Sequence, residues 1–228
     1  MQRIDDGTVD MVLCDLPYGM TDNKWDIRLP LDKLWLQWER VTKNNGAIVL
    51  TSMQPFSSLL VMSRPKFFKY ALVWSKGQIT GFLNAKRQPL REHEDILVFY
   101  RQQCVYNPQM TKGRMRNKGR TDILGLRNYR TENLKGTIYK SDTYYPKSIL
   151  HFPLRRIKDQ HPTQKPVALF EYLIRTYTND GDTVLDNCIG SGTTAIAALN
   201  TGRNFIGFEQ DADYHAKATA RIESIKLT

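Results

Sequence analysis

The feature that most constrains this chain is the segment 183–209, in which a glycine-rich turn is followed by an acid at the end of the next strand. Thr183–Asp186 has a strand pattern, and Gly190-Ser191-Gly192 follows as a turn into an alanine-rich helix. Glu209 ends a second strand-like run, seventeen residues after Gly192. Such glycines let the backbone approach a ligand at a helix N-terminus, and the acid can hold a ribose diol. The unit predicts an α/β fold and favours a bound nucleoside cofactor over a glycine turn without a ligand.

The charge next to this turn distinguishes between kinds of cofactor. Asp186 stands directly before the turn, where its carboxylate would repel a pyrophosphate. Ala195 takes the place of the third glycine of the dinucleotide fingerprint, which the variant form of that fingerprint permits. A cationic ligand such as a sulfonium therefore fits the turn better than a dinucleotide.

Strand and helix patterns alternate over most of the remaining chain. Apolar, β-branched runs predict strands at residues 9–14, 47–50, 70–74, 96–100 and 204–208. Helical spacing of apolar residues predicts helices from Pro30 to about Lys43, from Pro55 to Arg64 and from Pro166 to about Thr178, and Asp211 is expected to cap a last helix. This alternation indicates a parallel sheet with crossover helices.

Composition excludes several classes of protein. The chain has 228 residues, 41% of them hydrophobic, and its apolar runs are too short to span a membrane. Its start has neither the charged nor the apolar region of a signal peptide. The three cysteines have no zinc or disulfide spacing, so we predict no metal site and a cytoplasmic location.

The net charge of +10 comes from the middle of the chain. Residues 101–165 contain fifteen Lys and Arg against four Asp and Glu, whereas the rest of the chain is nearly balanced, with eighteen basic and nineteen acidic residues. Asparagine and tyrosine side chains lie between these charges and can hydrogen-bond or stack on bases. The block favours binding of a polyanion, and a solvated basic loop is the alternative.

A second motif, Asp15-Leu16-Pro17-Tyr18, follows the first predicted strand. A carboxylate and a backbone carbonyl can accept both hydrogens of an exocyclic amine, while a tyrosine ring stacks on the base. Pro17 restricts Leu16 to an extended conformation, which holds that carbonyl in one direction. An ordinary turn with a packed tyrosine is the alternative interpretation.

Three motifs occur in order along the chain: Asp15-Leu16-Pro17-Tyr18, His161-Pro162-Thr163-Gln164-Lys165-Pro166, and the run from Asp186 to Thr194. In this order and with these gaps they resemble the DNA amino-methyltransferases of the β arrangement, above all the adenine-N6 members. That family is permuted: the catalytic tetrapeptide comes first, the target-recognition region second and the S-adenosylmethionine site last. The resemblance covers nearly the whole chain.

This resemblance implies a Rossmann-like α/β methyltransferase with a mainly parallel sheet and a basic, loop-rich insertion. The catalytic domain would comprise residues 1–100 and 160–228, and the target-recognition insertion residues 101–159. Two departures from the family pattern occur: Leu16 replaces the first proline of Asp-Pro-Pro-Tyr, and Asn187-Cys188 replaces Pro-Phe after Asp186. Leu16 still supplies the backbone carbonyl that the family uses, so we expect activity to survive.

The resemblance also assigns residues to roles. The implied catalytic residues are Asp15, Leu16, Pro17 and Tyr18. The implied S-adenosylmethionine site consists of Thr163, Gln164, Lys165, Asp186, Gly190, Ser191, Gly192, Thr193 and Glu209. Basic residues expected to contact DNA are Lys86, Arg87, Lys112, Arg114, Arg116, Lys118, Arg120, Arg127 and Arg130; for the first two a solvated loop is an equal alternative.

The implied partner is double-stranded DNA, whose target base must leave the helix to reach the site. A homodimer, a cognate restriction nuclease and a bacterial or phage origin fit the family but are not determined by these residues. An aspartate at the head of the tetrapeptide favours adenine N6 over cytosine N4. The same residues are also compatible with methylation of RNA or of a protein amide, and with an inactive nucleic-acid-binding module of this fold.

Overall fold

The computed structural model describes residues 1–20, 26–119, 138–154 and 164–226. The chain divides into two compact units. One unit comprises Met1–Asn107 and Ser148–Thr228, and the other comprises Pro108–Lys147. The predicted insertion at 101–159 has wider limits than the second unit, and the predicted domain boundaries stay a prediction.

The larger unit is built on a seven-stranded sheet flanked by helices. Its strands are β1 (Val9–Asp15), β2 (Thr42–Ser52), β3 (Phe68–Thr80), β4 (Arg91–Phe99), β7 (Ile149–His151), β8 (Thr183–Asp186) and β9 (Asn204–Gly207). Its helices are α1 (Leu31–Val41), α2 (Phe56–Ser63), α3 (Val167–Tyr177), α4 (Thr193–Asn200) and α5 (Ala212–Lys226), with a short 3-10 helix at Phe82–Asn84. The strand order is β7-β3-β4-β2-β1-β8-β9.

Most strand pairs in this sheet are parallel, as the sequence predicted. The pairs β1–β2, β1–β8, β8–β9 and β3–β7 are parallel. Strand β4 is the exception, because it runs antiparallel to both of its neighbours, β2 and β3. A hairpin joins β3 to β4, which removes the need for a crossover helix at this point.

Alternation along β1 explains why helices cover both faces of the sheet. Met11 and Leu13 pack in one apolar cluster with side chains of α3 and α4. Val12 and Cys14 point the other way and pack with side chains of α1 and α2. A strand that is buried on both faces has a continuous run of apolar residues in its sequence. This is the pattern from which the strand at residues 9–14 was predicted.

The residues Asn44-Asn45-Gly46 lie inside β2. The pairing of β1 with β2 shifts between Val9↔Thr42 and Met11↔Ala47, so β2 bulges where β1 continues directly. A Cβ on Gly46 would lie 2.8 Å from the Asp10 carbonyl oxygen, and only glycine fits this contact. The last helix begins as predicted: the backbone N–H groups of Asp213 and Tyr214 both donate to the Asp211 carboxylate at 3.0 Å.

The smaller unit contains an antiparallel hairpin of β5 (Thr111–Lys118) and β6 (Tyr139–Tyr144). The Tyr144 ring lies against Gly113, and the Lys118 ammonium sits 3.5 Å from its centroid. Most side chains of β5 are exposed. In the parts of the chain that the structure describes, no helix is long and apolar enough to cross a membrane.

Candidate active site

The motif Asp15-Leu16-Pro17-Tyr18 lies at the carboxyl end of β1, at the edge where its parallel neighbours also end. Asp15 pairs in register with Thr51 of β2. The Tyr18 hydroxyl donates to Asp15 Oδ1 at 2.9 Å, and the Thr51 hydroxyl donates to the same oxygen. The Tyr18 ring packs on Phe56 with centroids 5.6 Å apart, and Leu16 is buried. The motif is therefore held in place by hydrogen bonds and packing at the edge of the core.

A row of four alternating charges extends inward from Asp15. The Lys165 ammonium lies 2.8 Å from Asp15 Oδ2 and 3.2 Å from Glu94 Oε2. The other oxygen of Glu94 lies 3.3 Å from the Lys76 ammonium. Lys76, Glu94 and Lys165 are all buried. Because two carboxylates alternate with two ammonium groups, each buried charge has an opposite partner.

These contacts keep Glu94 and Lys165 ionised. Burial alone would raise the pKa of Glu94, but Lys165 and Lys76 outweigh it and hold that pKa below its ordinary value. Burial would lower the pKa of Lys165, and the neighbouring Asp15 and Glu94 carboxylates raise it instead. Burial, with the charges of Asp15 and Glu94, raises the pKa of Tyr18 well above its usual range. The Tyr18 hydroxyl therefore remains a proton donor.

The hydrogen bonds on Asp15 determine what else it can accept. Among the described residues, Tyr18 and Thr51 donate to Oδ1, and Lys165 donates to Oδ2. Each carboxylate oxygen offers about two acceptor positions, so Oδ2 retains one for an incoming N–H group. The side chain of Asp15 is 27% exposed, so part of this carboxylate can be reached from outside the core.

The glycine-rich turn lies beside this motif, at the end of the neighbouring strand. Strands β1 and β8 pair at Val12↔Leu185, which brings the turn after β8 next to Asp15. Gly190 and Gly192 both have positive φ, +51° and +82°, a conformation that other residues rarely adopt. A Cβ on Gly190 would meet no atom closer than 3.9 Å, so this backbone is open to close approach by a ligand.

Glu209 reaches the same turn from the end of β9. Its carboxylate accepts hydrogen bonds from the backbone N–H groups of Gly190 and Asp211, each at 2.9 Å. Glu209 therefore has its carboxylate at the cofactor turn, where the sequence predicted an acid for the ribose. An open glycine turn with an acid at its edge fits a nucleoside cofactor such as S-adenosylmethionine.

The Asp186 carboxylate stabilises the glycine-rich turn by hydrogen bonds to residues on both sides of it. It accepts hydrogen bonds from the Cys188 backbone N–H at 2.9 Å and from the Thr194 hydroxyl. Burial raises its pKa to about 6, although the Thr194 and Cys188 hydrogen bonds favour the ionised form. The folded protein therefore binds this proton more tightly than the unfolded chain does.

This raised pKa predicts a pH dependence of stability. As pH rises from about 4 to about 6, the unfolded chain releases this proton while the folded state retains it, so the contribution of Asp186 to stability falls by about 3 kcal/mol. Asp186→Asn should remove that contribution. Urea unfolding at pH 4.5 and 7.5 should show the variant gaining stability relative to wild type at the higher pH. The exposed Asp32→Asn variant is the control, and an equal shift in both variants would contradict the prediction.

The remaining predicted residues are distributed over both units. The Lys165 side chain lies at the catalytic motif, and its assignment to the cofactor pocket stays a prediction. Lys86 and Arg87 are exposed in the connection between β3 and β4, and Lys112, Arg114, Arg116 and Lys118 lie on β5. Gln164 precedes α3, and Ser191 and Thr193 belong to the turn and the start of α4. Thr163, Arg120, Arg127 and Arg130 lie outside the described residues.

Sequence reasoning missed Thr51, Glu94 and Lys76. Thr51 could have been found, because it directly follows the strand predicted at 47–50 and the carboxyl ends of parallel strands meet at one edge. Glu94 and Lys76 belong to the antiparallel hairpin, whose register no local pattern specifies. Among residues 1–20, 26–119, 138–154 and 164–226, no three His, Cys, Asp or Glu side chains are grouped to hold a metal ion.

A sheet of this order, with a glycine turn and an acid beside the Asp15-Leu16-Pro17-Tyr18 motif, fits an S-adenosylmethionine-dependent methyltransferase. The model of the N6/N4 DNA methylase family matches residues 9–220. The chain belongs to this family of DNA methylases, whose cofactor is S-adenosylmethionine.

Relatives along nearly the whole chain support this assignment. The type II methyltransferase M.HpaI of Haemophilus parainfluenzae is 25% identical over 98% of this chain and 71% of its own length. The type II methyltransferase M1.MboII of Moraxella bovis is 26% identical over 100% of this chain and 94% of its own. The DNA adenine methyltransferase YhdJ of Escherichia coli strain K12 is 25% identical over 98% of this chain and 79% of its own length.

Solved structures show the same fold. The M1.HpyAVI complex with SAM has a TM-score of 0.64 and 27% identity, covering 94% of this chain and 90% of the other. The cytosine-N4-specific PvuII DNA methyltransferase has a TM-score of 0.65 over 96% of this chain and 81% of its own. At 16% identity, the PvuII likeness concerns the fold alone.

Proposed function

We propose that this chain transfers the methyl group of S-adenosylmethionine to the N6 amine of adenine in double-stranded DNA. The observation that carries the proposal is the uncommitted acceptor position on Asp15, set beside the cofactor turn at adjacent strand ends. The aspartate that heads the tetrapeptide and the adenine specificity in YhdJ's name support adenine over cytosine.

The difficulty of the reaction is the weak nucleophile. The lone pair of an aromatic amine is delocalised into its ring, so the amine attacks poorly. Asp15 Oδ2 would accept one N–H hydrogen and the Leu16 carbonyl the other, which draws the nitrogen toward tetrahedral geometry and localises the lone pair. S-adenosylmethionine supplies a methyl group activated by its sulfonium charge.

Two further contributions come from the surrounding side chains. Lys165, Thr51 and the Tyr18 hydroxyl hold the Asp15 carboxylate in one orientation, so it need not reorganise as the amine pyramidalises. The released N6 proton has Asp15 as its nearest acceptor, and the exposed part of that side chain offers a route to solvent. The base would reach the site flipped out of the duplex and stacked on Tyr18.

The remaining assignments concern the protein's partners. The basic residues of β5 would contact DNA phosphates and the second unit would help select the target sequence. The type II names of M.HpaI and M1.MboII support a role in restriction and modification, with a cognate nuclease as partner. A homodimer and a bacterial or phage origin are predictions of the same kind.

The direct test incubates the protein with methyl-labelled S-adenosylmethionine and unmethylated duplex DNA, followed by nucleoside identification. Label in N6-methyladenine is the expected result, and label in N4-methylcytosine would overturn the choice of base. A parallel reaction with RNA of the same sequence tests the RNA substrate. Calorimetry with S-adenosylmethionine distinguishes an active methyltransferase from an inactive nucleic-acid-binding module, because the module would give no saturable heat of binding.

A further inference from the structure

The hairpin joining β3 to β4 projects beyond the edge of the sheet where Asp15 lies. Asp15 pairs with Thr51, and Thr51 pairs with Ile96 of β4. Arg91 begins β4 five residues before Ile96, and at about 3.3 Å per residue it stands roughly 16 Å beyond the level of Asp15. Residues 79–91, here called the hairpin tip, therefore extend past the Asp15-Leu16-Pro17-Tyr18 motif at the edge where the parallel strands β1 and β2 end.

The hairpin tip exposes large apolar side chains. Leu83 is fully exposed, Phe82 is 76% exposed, and Ile79 is also exposed. Leu83 and Phe82 are the two most exposed large hydrophobic side chains in the described parts of the chain. Their 3-10 turn is closed by Asn84 N–H donating to the Gly81 carbonyl at 2.9 Å, so the pair is displayed by an ordered turn. Neighbouring apolar side chains held in water in this way indicate a binding surface.

The charges around these side chains indicate the chemistry of the partner. Lys86 and Arg87 come three and four residues after Leu83 and are exposed, and residues 75–91 contain no acidic residue. The Arg87 N–H donates to the Asn84 carbonyl at 2.8 Å, which continues the same turn into the basic pair. An apolar point with cations beside it complements a duplex, whose phosphates lie outside and whose stacked bases lie inside.

We propose that the hairpin tip is a wedge that inserts Phe82 and Leu83 into the base stack of duplex DNA, while Lys86 and Arg87 hold the flanking phosphates. This inference rests on the proposed function, since a base that leaves the duplex for Asp15 opens a gap in the stack. Apolar side chains placed in such a gap stabilise the unstacked state of the DNA. The position of the tip, on the same edge as Asp15, favours DNA over a membrane surface as its partner.

Two double variants test the wedge in the full chain. Phe82→Ser with Leu83→Ser should lower the rate of label transfer to unmethylated duplex DNA at least tenfold, with a smaller loss of duplex affinity. Lys86→Ala with Arg87→Ala should weaken duplex binding and reduce the slope of log affinity against log salt by about 2. Met62→Ser with Lys66→Ala is the matched control, because both residues are exposed elsewhere, and it should leave both quantities unchanged.

The readouts separate this proposal from the proposed function. Wild-type rate and wild-type affinity in the Phe82→Ser, Leu83→Ser variant would overturn the wedge. If the wild type labels no DNA, the proposed function fails, and duplex affinity still tests the wedge. The last measurement uses vesicles that contain phosphatidylserine. If the hairpin tip binds these vesicles and neither double variant loses affinity for DNA, the wedge proposal is also overturned. Unchanged thermal unfolding and S-adenosylmethionine binding in every variant confirm intact protein.

Discussion

Replacing Asp15 with alanine should reduce methyl transfer to DNA by about 10²–10⁴-fold, the range expected when a positioned acid–base group is lost. Asp15 Oδ2 is the acceptor proposed for the amine, and a water molecule held in its place by Lys165, Thr51 and Tyr18 would lack the negative charge that favours accepting the amine hydrogen and the released proton. The measurement is single-turnover label transfer to unmethylated duplex DNA. Calorimetry should show S-adenosylmethionine binding unchanged, because the cofactor turn is organised by Asp186 and Glu209.

Two further variants make the Asp15 result specific. Asp32→Ala removes an exposed carboxylate from α1 and should leave the rate at the wild-type value. Asp15→Asn keeps the shape and one acceptor oxygen but loses the charge that faces Lys165, so its rate should fall between wild type and alanine. An alanine variant with normal turnover would refute the catalytic assignment. A variant that loses cofactor binding would instead place Asp15 in the cofactor site.

The second large effect is expected at Lys165. Lys165→Met leaves the Asp15 and Glu94 carboxylates without the ammonium between them, and only Lys76 remains to balance Glu94. Removing one partner of a buried ion pair costs about 3–5 kcal/mol, because an uncompensated charge is left in the core. Unfolding in urea should therefore show a loss of this size, and methyl transfer should fall because Asp15 loses its orientation.

A double variant separates charge balance from packing. Lys165→Met with Glu94→Gln removes one positive and one negative charge, so the remaining Asp15 and Lys76 are again balanced. The double variant should lose less free energy of unfolding than the two single variants lose together. The difference should be about 0.5–3 kcal/mol, the range of couplings between residues in contact. The exposed Lys66→Met variant is the control for the loss of a lysine. Strict additivity would mean that the row does not act as a unit.

Acidification gives an independent check on the Lys165 variant. In the wild type, Lys165 and Lys76 keep the pKa of Glu94 below its ordinary value, so Glu94 contributes stability above its unfolded pKa and loses it as pH falls further. Without Lys165, burial dominates and raises the pKa of Glu94. The variant should therefore regain stability relative to wild type as pH falls from 7 to 5, whereas a loss of packing alone would persist at both values.

Local sequence patterns predicted much of the architecture because they arise from one strand or one turn at a time. The apolar run at 9–14, the glycine turn after Asp186 and the cap at Asp211 each depend on neighbouring residues, and the structure contains all three. That Asp15 and the glycine turn lie together could also have been predicted, because both follow predicted strands and the carboxyl ends of parallel strands meet at one edge of a sheet.

The sequence by itself thus determined the α/β class, the two motifs at the sheet edge and the basic character of the middle of the chain. Only the tertiary structure revealed the antiparallel course of β4, which pairs Trp74 with Glu94 and brings Lys76 and Lys165 onto one carboxylate. The two lysines lie 18 and 71 positions from Glu94 along the chain, and their contacts with it depend on strand direction and register. Neither property is encoded in a local pattern, since the same apolar run can pair in either direction with any neighbour that covers it.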